Sequence, residues 1–121
     1  KAYLENKQYL EEIAIKRRNN FETLVEKFRA IKVDLLLEKI PIGCVPQVFI
    51  VKDETGKLCD KFRENNLGAT QWPGHELPLL VREDPKQFPV THKLNNTLVM
   101  LPLHQSAEVG QLNYMAKVLD S

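Results

Sequence analysis

The first thirty residues contain neither proline nor glycine, and neither appears before Pro41. Within that unbroken stretch Leu10, Ile13, Ala14, Arg17, Phe21, Leu24, Val25 and Phe28 recur at steps of three and four, the spacing of one face of an α-helix. Glu11, Glu12, Lys16, Arg18, Asn19, Glu22 and Lys27 fall on the other side, where opposite charges a turn apart suit a solvated helix face. The pattern predicts a single helix over residues 1–30. A helix of that length is unusual in a chain of 121 residues, because its upper half has little to pack against. It reads as a helix built to bridge two bodies.

The rest of the chain supplies what that helix packs on. Val33–Leu37 is an apolar run, followed by the turn-rich Pro41-Ile42-Gly43-Cys44-Val45-Pro46. Residues 47–52, β-branched and aromatic, predict a buried strand that stops at Asp53-Glu54-Thr55-Gly56, a turn signature. Lys57–Asn66 reads as a short helix with Leu58, Phe62 and Leu67 on its apolar edge, stopped by Asn65-Asn66-Leu67-Gly68. Residues 69–72 predict a second strand, broken at Pro73-Gly74. Residues 73–96 hold four of the seven prolines and few periodic positions. They read as a long loop with room for one helical turn, a kind of segment that tends to be functional in compact domains. Residues 97–101 predict the third strand, ended by Pro102. A last helix follows, with Ser106 as N-cap and Val109, Leu112, Met115 and Ala116 or Leu119 as its buried stripe. The expected architecture is a small two-layer α+β domain spanning residues 1–121, its sheet covered by helices on one face.

Composition narrows the function classes. Seventeen Lys and Arg against sixteen Asp and Glu leave a net charge of +1, so no charge imbalance recruits nucleic acid or an acidic membrane. No apolar run reaches the ~18 residues of a membrane span, and no signal segment opens the chain. The first residue is Lys1 rather than Met, which reads as a processed protein or an excised piece. Cys44 and Cys59 are too few for a disulfide framework and lack C-x-x-C spacing. Both are expected as small buried side chains in a reducing, cytoplasmic setting.

The side chains that carry chemistry form no complete set. His75, His92 and His104 are too widely spaced for a local metal site. His75-Glu76 is the one adjacent acid–base pair, and neighbours in sequence rarely face each other; a surface loop pair is the simpler reading. His104, at a strand end, reads as a hydrogen-bonded structural histidine. Lys16-Arg17-Arg18 is a basic triplet interspersed with Glu11, Glu12 and Glu22, which suits a solvated helix face better than phosphate contact. Trp72 sits directly before Pro73-Gly74. It is either a packing residue at a strand edge or the aromatic wall of a pocket.

The order of several short stretches resembles a known family. Lys16-Arg17-Arg18-Asn19-Asn20, Asn66-Leu67-Gly68-Ala69-Thr70-Gln71-Trp72-Pro73, Gln87-Phe88-Pro89-Val90 and Leu98-Val99-Met100-Leu101-Pro102-Leu103-His104, followed by the terminal helix through Leu119, are similar to the C-terminal small domain of the DegT/DnrJ/EryC1/StrS sugar aminotransferases. That resemblance implies a fold-type I enzyme dependent on pyridoxal phosphate as the parent. The cofactor-binding lysine, aspartate and phosphate ligands would all lie in a large domain with no counterpart here. This chain would therefore contribute no catalytic, cofactor-binding or metal-binding residue. Its share would be to cap the substrate side of the cleft, with Trp72 and His75 as the substrate-facing positions and helix 1–30 as the joint between domains. The implied partners are the large domain of the same parent chain, a second copy in a homodimer and a nucleotide-sugar substrate. The alternative from another class is a free-standing α+β binding or regulatory module that self-associates through its helix and sheet.

Overall fold

The computed structural model describes residues 2–74 and 76–121, with side chains from Asn6 onward. Helix α1 runs over Ala2–Ala30, as the uninterrupted periodicity predicts. It stops without glycine. Lys32 takes the left-handed conformation at φ 60°, while the Lys32 N–H donates to the Arg29 carbonyl at 3.1 Å and the Val33 N–H to the Phe28 carbonyl at 3.0 Å. That pair of bonds satisfies carbonyls otherwise left open in the last turn.

The sheet has three antiparallel strands, β1 (Val48–Lys52), β2 (Thr70–Gln71) and β3 (Leu98–Pro102), in the order β1-β3-β2. The register sets Phe49 opposite Leu101, Ile50 opposite Met100 and Val51 opposite Val99, with Thr70 beyond Met100. Alternation along a strand sends successive side chains to opposite faces. Phe49, Val51, Val99 and Leu101 are accordingly buried on one face, whereas Val48, Ile50 and Met100 are partly open on the other. The free edge of β1 receives the Val33–Leu37 run: Leu35 bridges Val51, and the Lys52 N–H donates to the Asp34 carbonyl at 2.9 Å.

Helices cover the inner face. The lower half of α1 places Phe21, Leu24, Val25 and Phe28 on it, α2 (Leu58–Glu64) adds Cys59 and Phe62, and α5 (Val109–Asp120) adds Leu112, Met115 and Val118. Phe49 is the centre of this packing. Its ring meets Phe21 edge-on at 5.3 Å and Phe28 at 5.1 Å between centroids, an arrangement that aligns ring edges with ring faces. Among the described residues the upper half of α1 has less cover: Tyr9 is 60% exposed, Leu10 63% and Ile15 59%, while Ile13 and Ala14 are partly buried.

Four sequence expectations need correction. Residues 73–96 hold more than a loop with one helical turn: beside the single turn of α3 (Leu79–Arg82), the full helix α4 (Pro89–Thr97) folds at their end. Pro89 opens α4 at a position where a missing N–H costs nothing. The helix was illegible because its inward face is held largely by polar side chains, His92 and Asn95, rather than by an apolar stripe. The N-cap of α5 is Glu108, not Ser106. The Glu108 carboxylate accepts from the Gln111 N–H, and the Gln111 side chain accepts from the Glu108 N–H at 2.9 Å, a reciprocal box. Val109 then stands in the first turn, 65% exposed, and the buried stripe begins at Leu112. Cys44 is exposed, because the Pro41–Pro46 segment crosses the surface, and only Cys59 is buried.

Candidate functional site

Trp72 ends up where β2 leaves the sheet. Its N–H continues the ladder to the Leu98 carbonyl at 3.4 Å, its side chain is half-buried, and the following Trp72–Pro73 peptide is cis. His75, the other expected substrate-facing residue, lies outside the described residues. The structure reveals a tie behind Trp72 that sequence reading missed. Asn95 of α4, buried to 9% exposure, donates through Nδ2 to the Trp72 carbonyl at 2.8 Å and to the Gly74 carbonyl at 3.2 Å. One turn earlier on α4, His92 donates through Nε2 to the Val81 carbonyl at 2.6 Å. The segment from β2 to α3 is thus pinned to α4 by side chains reaching main-chain oxygens.

A second focus is the corner where β3 turns into α5. A cleft of about 530 Å³ opens there between the end of α2 and the start of α5. Leu67, Pro102, Ala107 and Met115 form its apolar floor, and Asn66, His104, Gln111 and Tyr114 its polar rim. Its shape follows from local rules. Asn66 closes α2 at φ 61°, where asparagine tolerates the left-handed region better than other side chains, and the Leu67 N–H returns to the Phe62 carbonyl at 2.9 Å. Tyr114 ties α5 to that turn by donating its hydroxyl to the Asn65 carbonyl at 3.1 Å. His104 Nδ1 accepts from the Ser106 N–H at 3.1 Å and meets the Ser106 hydroxyl at 2.6 Å. That leaves its proton on Nε2 as a donor. His104 is a hydrogen-bonded histidine, as its strand-end position suggests. Donors over an apolar floor can bind and orient a group.

Two members of the basic triplet, Arg17 and Arg18, and the nearby Asn20 also have definite partners. Arg17 Nε donates to the Gln105 side chain at 3.0 Å and Asn20 Nδ2 to the His104 carbonyl at 3.0 Å. Arg18 reaches the other way, to the carbonyls of Pro41 and Cys44. These side chains staple the middle of α1 to the β3 exit and to the Pro41–Pro46 segment, instead of waving in solvent as a charged face would. The Lys16–Asn20 and Leu98–His104 stretches, nearly eighty residues apart in sequence, therefore meet in space.

Among the described residues, the surroundings of two groups shift them from their ordinary values. Burial alone would raise the Asp53 pKa, but hydrogen bonds prevail: its carboxylate accepts from the Thr55 hydroxyl at 2.5 Å, the Leu58 N–H at 2.8 Å and the Thr55 N–H at 3.0 Å. The net result is a carboxyl held below the usual range. Asp53 thereby caps the entry to α2. Burial pushes the Cys59 thiol up, against the opposing charge of Arg63, which suits a packing residue rather than a nucleophile. Among the described residues no group of three or more His, Cys, Asp or Glu could hold a metal ion, and no helix is long and apolar enough to cross a membrane.

The arrangement of elements has counterparts among solved structures. A DegT DnrJ EryC1 StrS aminotransferase from Brucella abortus superposes with a TM-score of 0.70 at 15% identity, over 96% of this chain and 32% of its own. A sugar aminotransferase of Streptococcus pneumoniae, in its PMP form, superposes with a TM-score of 0.78 at 12% identity, over 97% of this chain and 32% of its own. This chain has the fold of one part of a DegT-type sugar aminotransferase. It spans about a third of the length of each such protein (32%), and the fold found is the one that the motif resemblance implies. No protein-family model and no curated protein sequence matches the chain.

Proposed function

We propose that this chain is the C-terminal small domain, residues 1–121, of a pyridoxal-phosphate-dependent sugar aminotransferase, inactive alone, and that it caps the substrate side of a cleft whose other wall is a large domain of the same parent. The observation that carries the reading is the asymmetry of coverage: nearly all of this chain superposes on only 32% of each aminotransferase. The bare upper half of α1 supports it, since a helix that bridges two bodies leaves one half to the second body. In this reading the parent works in the cytoplasm as a homodimer on a nucleotide sugar. Trp72 offers a ring to stack on the substrate and His75 a hydrogen bond.

The described residues of this chain do not fit the cofactor itself. Covalent attachment of pyridoxal phosphate needs a lysine desolvated in a pocket that also holds the ring. The large cleft is lined by no lysine, and most described lysines are exposed on helix or loop surfaces. The cofactor therefore belongs, in this proposal, to the large domain.

The test is made on the full-length parent. Trp72→Ala or His75→Ala is expected to lower kcat/KM about tenfold, roughly 1.4 kcal/mol, while the cofactor's absorption stays unchanged. Full activity in both stable variants would remove these residues from the cleft. Mixing the isolated chain with pyridoxal phosphate should give no stoichiometric Schiff-base band. A band abolished by one lysine substitution would overturn the division of labour.

A further inference from the structure

We infer that Asn95 is the positioning residue of the Trp72 loop: its side-chain amide fixes the main chain on both sides of Pro73 and so sets where the Trp72 ring stands. The inference deepens the reading of Trp72 as substrate-facing and rests on it for its functional part.

The argument begins with unpaired carbonyls. The Trp72 N–H makes the last ladder bond, to the Leu98 carbonyl; beyond it the carbonyls of Trp72 and Gly74 have no ladder to join. Carbonyls beside a buried side chain must find donors or lose free energy. A primary amide carries two N–H donors on one nitrogen and no charge, so it serves two carbonyls from a buried position where lysine or arginine would bring an uncompensated charge. Asn95 does this, at 2.8 Å to Trp72 and 3.2 Å to Gly74. It stands on α4 immediately before β3, so its base is anchored in the central strand of the sheet.

Among the described residues, the stretch that Asn95 holds is lightly fastened beyond the Trp72 N–H bond to the Leu98 carbonyl at 3.4 Å. Between it and the His92–Val81 bond, Leu77 is the one buried apolar side chain, while Leu79 and Leu80 are exposed. The Arg82–Glu76 pair, 3.1 Å apart, lies at the surface and adds little. Segments held by few buried apolar contacts open locally without global unfolding. Removing the amide should therefore release Trp72 and leave the core of Phe28, Phe49 and Phe62 in place.

Trp72 is the only tryptophan, so its fluorescence reports on this loop alone. Asn95→Leu keeps the branched outline and deletes both donors; Asn95→Ser keeps a polar group too short to reach both carbonyls. In this chain each variant is expected to raise acrylamide quenching of Trp72 about twofold, with unchanged helix content by circular dichroism. Unchanged quenching in a folded variant would overturn the inference. So would global unfolding of both variants, because that would make Asn95 a core residue. In the full-length parent Asn95→Leu should raise KM about fivefold with kcat within about twofold. Combined with Trp72→Ala it should add nothing, since the two then act through one group. If quenching responds and KM does not, the positioning role stands and the substrate-facing reading of Trp72 falls.

Discussion

The two halves of α1 follow the same spacing of apolar residues and meet opposite fates. Phe21, Leu24, Val25 and Phe28 are buried against β1 and α5, whereas Leu10, on the same three-and-four pattern, is 63% exposed. Between them, Arg17, Arg18 and Asn20 spend their polar groups on the carbonyls and side chain of two neighbouring segments. Periodicity states that a helix face is meant to be covered. Whether something in the same chain covers it depends on how far the sheet extends, and here the sheet ends near the middle of the helix.

That contrast can be broken at four places. Phe28→Ala removes a fully buried ring that packs edge-on against Phe49, and should destabilise the fold by about 3–5 kcal/mol in denaturant unfolding; a loss under 1 kcal/mol would mean that the lower half is not the core. Asp53→Ala removes the acceptor for the Leu58 and Thr55 N–H groups and should cost about 1–2 kcal/mol. The sign of its pH dependence follows from a folded pKa below the unfolded one. The contribution is complete above the unfolded value of ~3.9 and disappears as pH falls through the lower, folded value. Acid titration of the wild type and Asp53→Asn should therefore begin to approach each other as pH falls below about 4 and meet only below the lower, folded value. Asn20→Ala should cost about 1 kcal/mol by freeing the His104 carbonyl, and it should loosen the β3 exit in hydrogen exchange. Leu10→Ser should change stability by less than about 0.5 kcal/mol. Its effect is expected on association instead: the isolated chain should self-associate through the bare half of α1, and sedimentation should show the variant less associated. A wild type that stays strictly monomeric at high concentration would count against an unpartnered surface there.

The candidate site was legible in unequal measure. Trp72 was marked by its place before Pro73-Gly74, a local signal that survives any tertiary arrangement. The Leu98–His104 stretch was visible as a motif, yet the cleft beside it was not, because its rim comes from Asn66, Gln111 and Tyr114 on two other elements. Asn95 gave no signal at all. A polar residue in a polar-looking stretch looks like loop, and only the placement of α4 beside β2 turns its amide into a buried donor.

By itself the sequence determined α1, β1, α2 and β3, because each is specified by contacts within a few residues: helical spacing, β-branched runs, and the asparagine stop that places Asn66 at φ 61°. It also determined that one face of α1 would seek cover. Tertiary structure alone decided how much of that face finds it, that Arg17 and Asn20 join the β3 exit, and that residues 89–97 form a helix rather than a loop. The physical reason is range. Backbone preference and side-chain period act over one or two turns, while an amide or guanidinium finds its carbonyl only after the sheet has brought distant segments within 3 Å or so of each other.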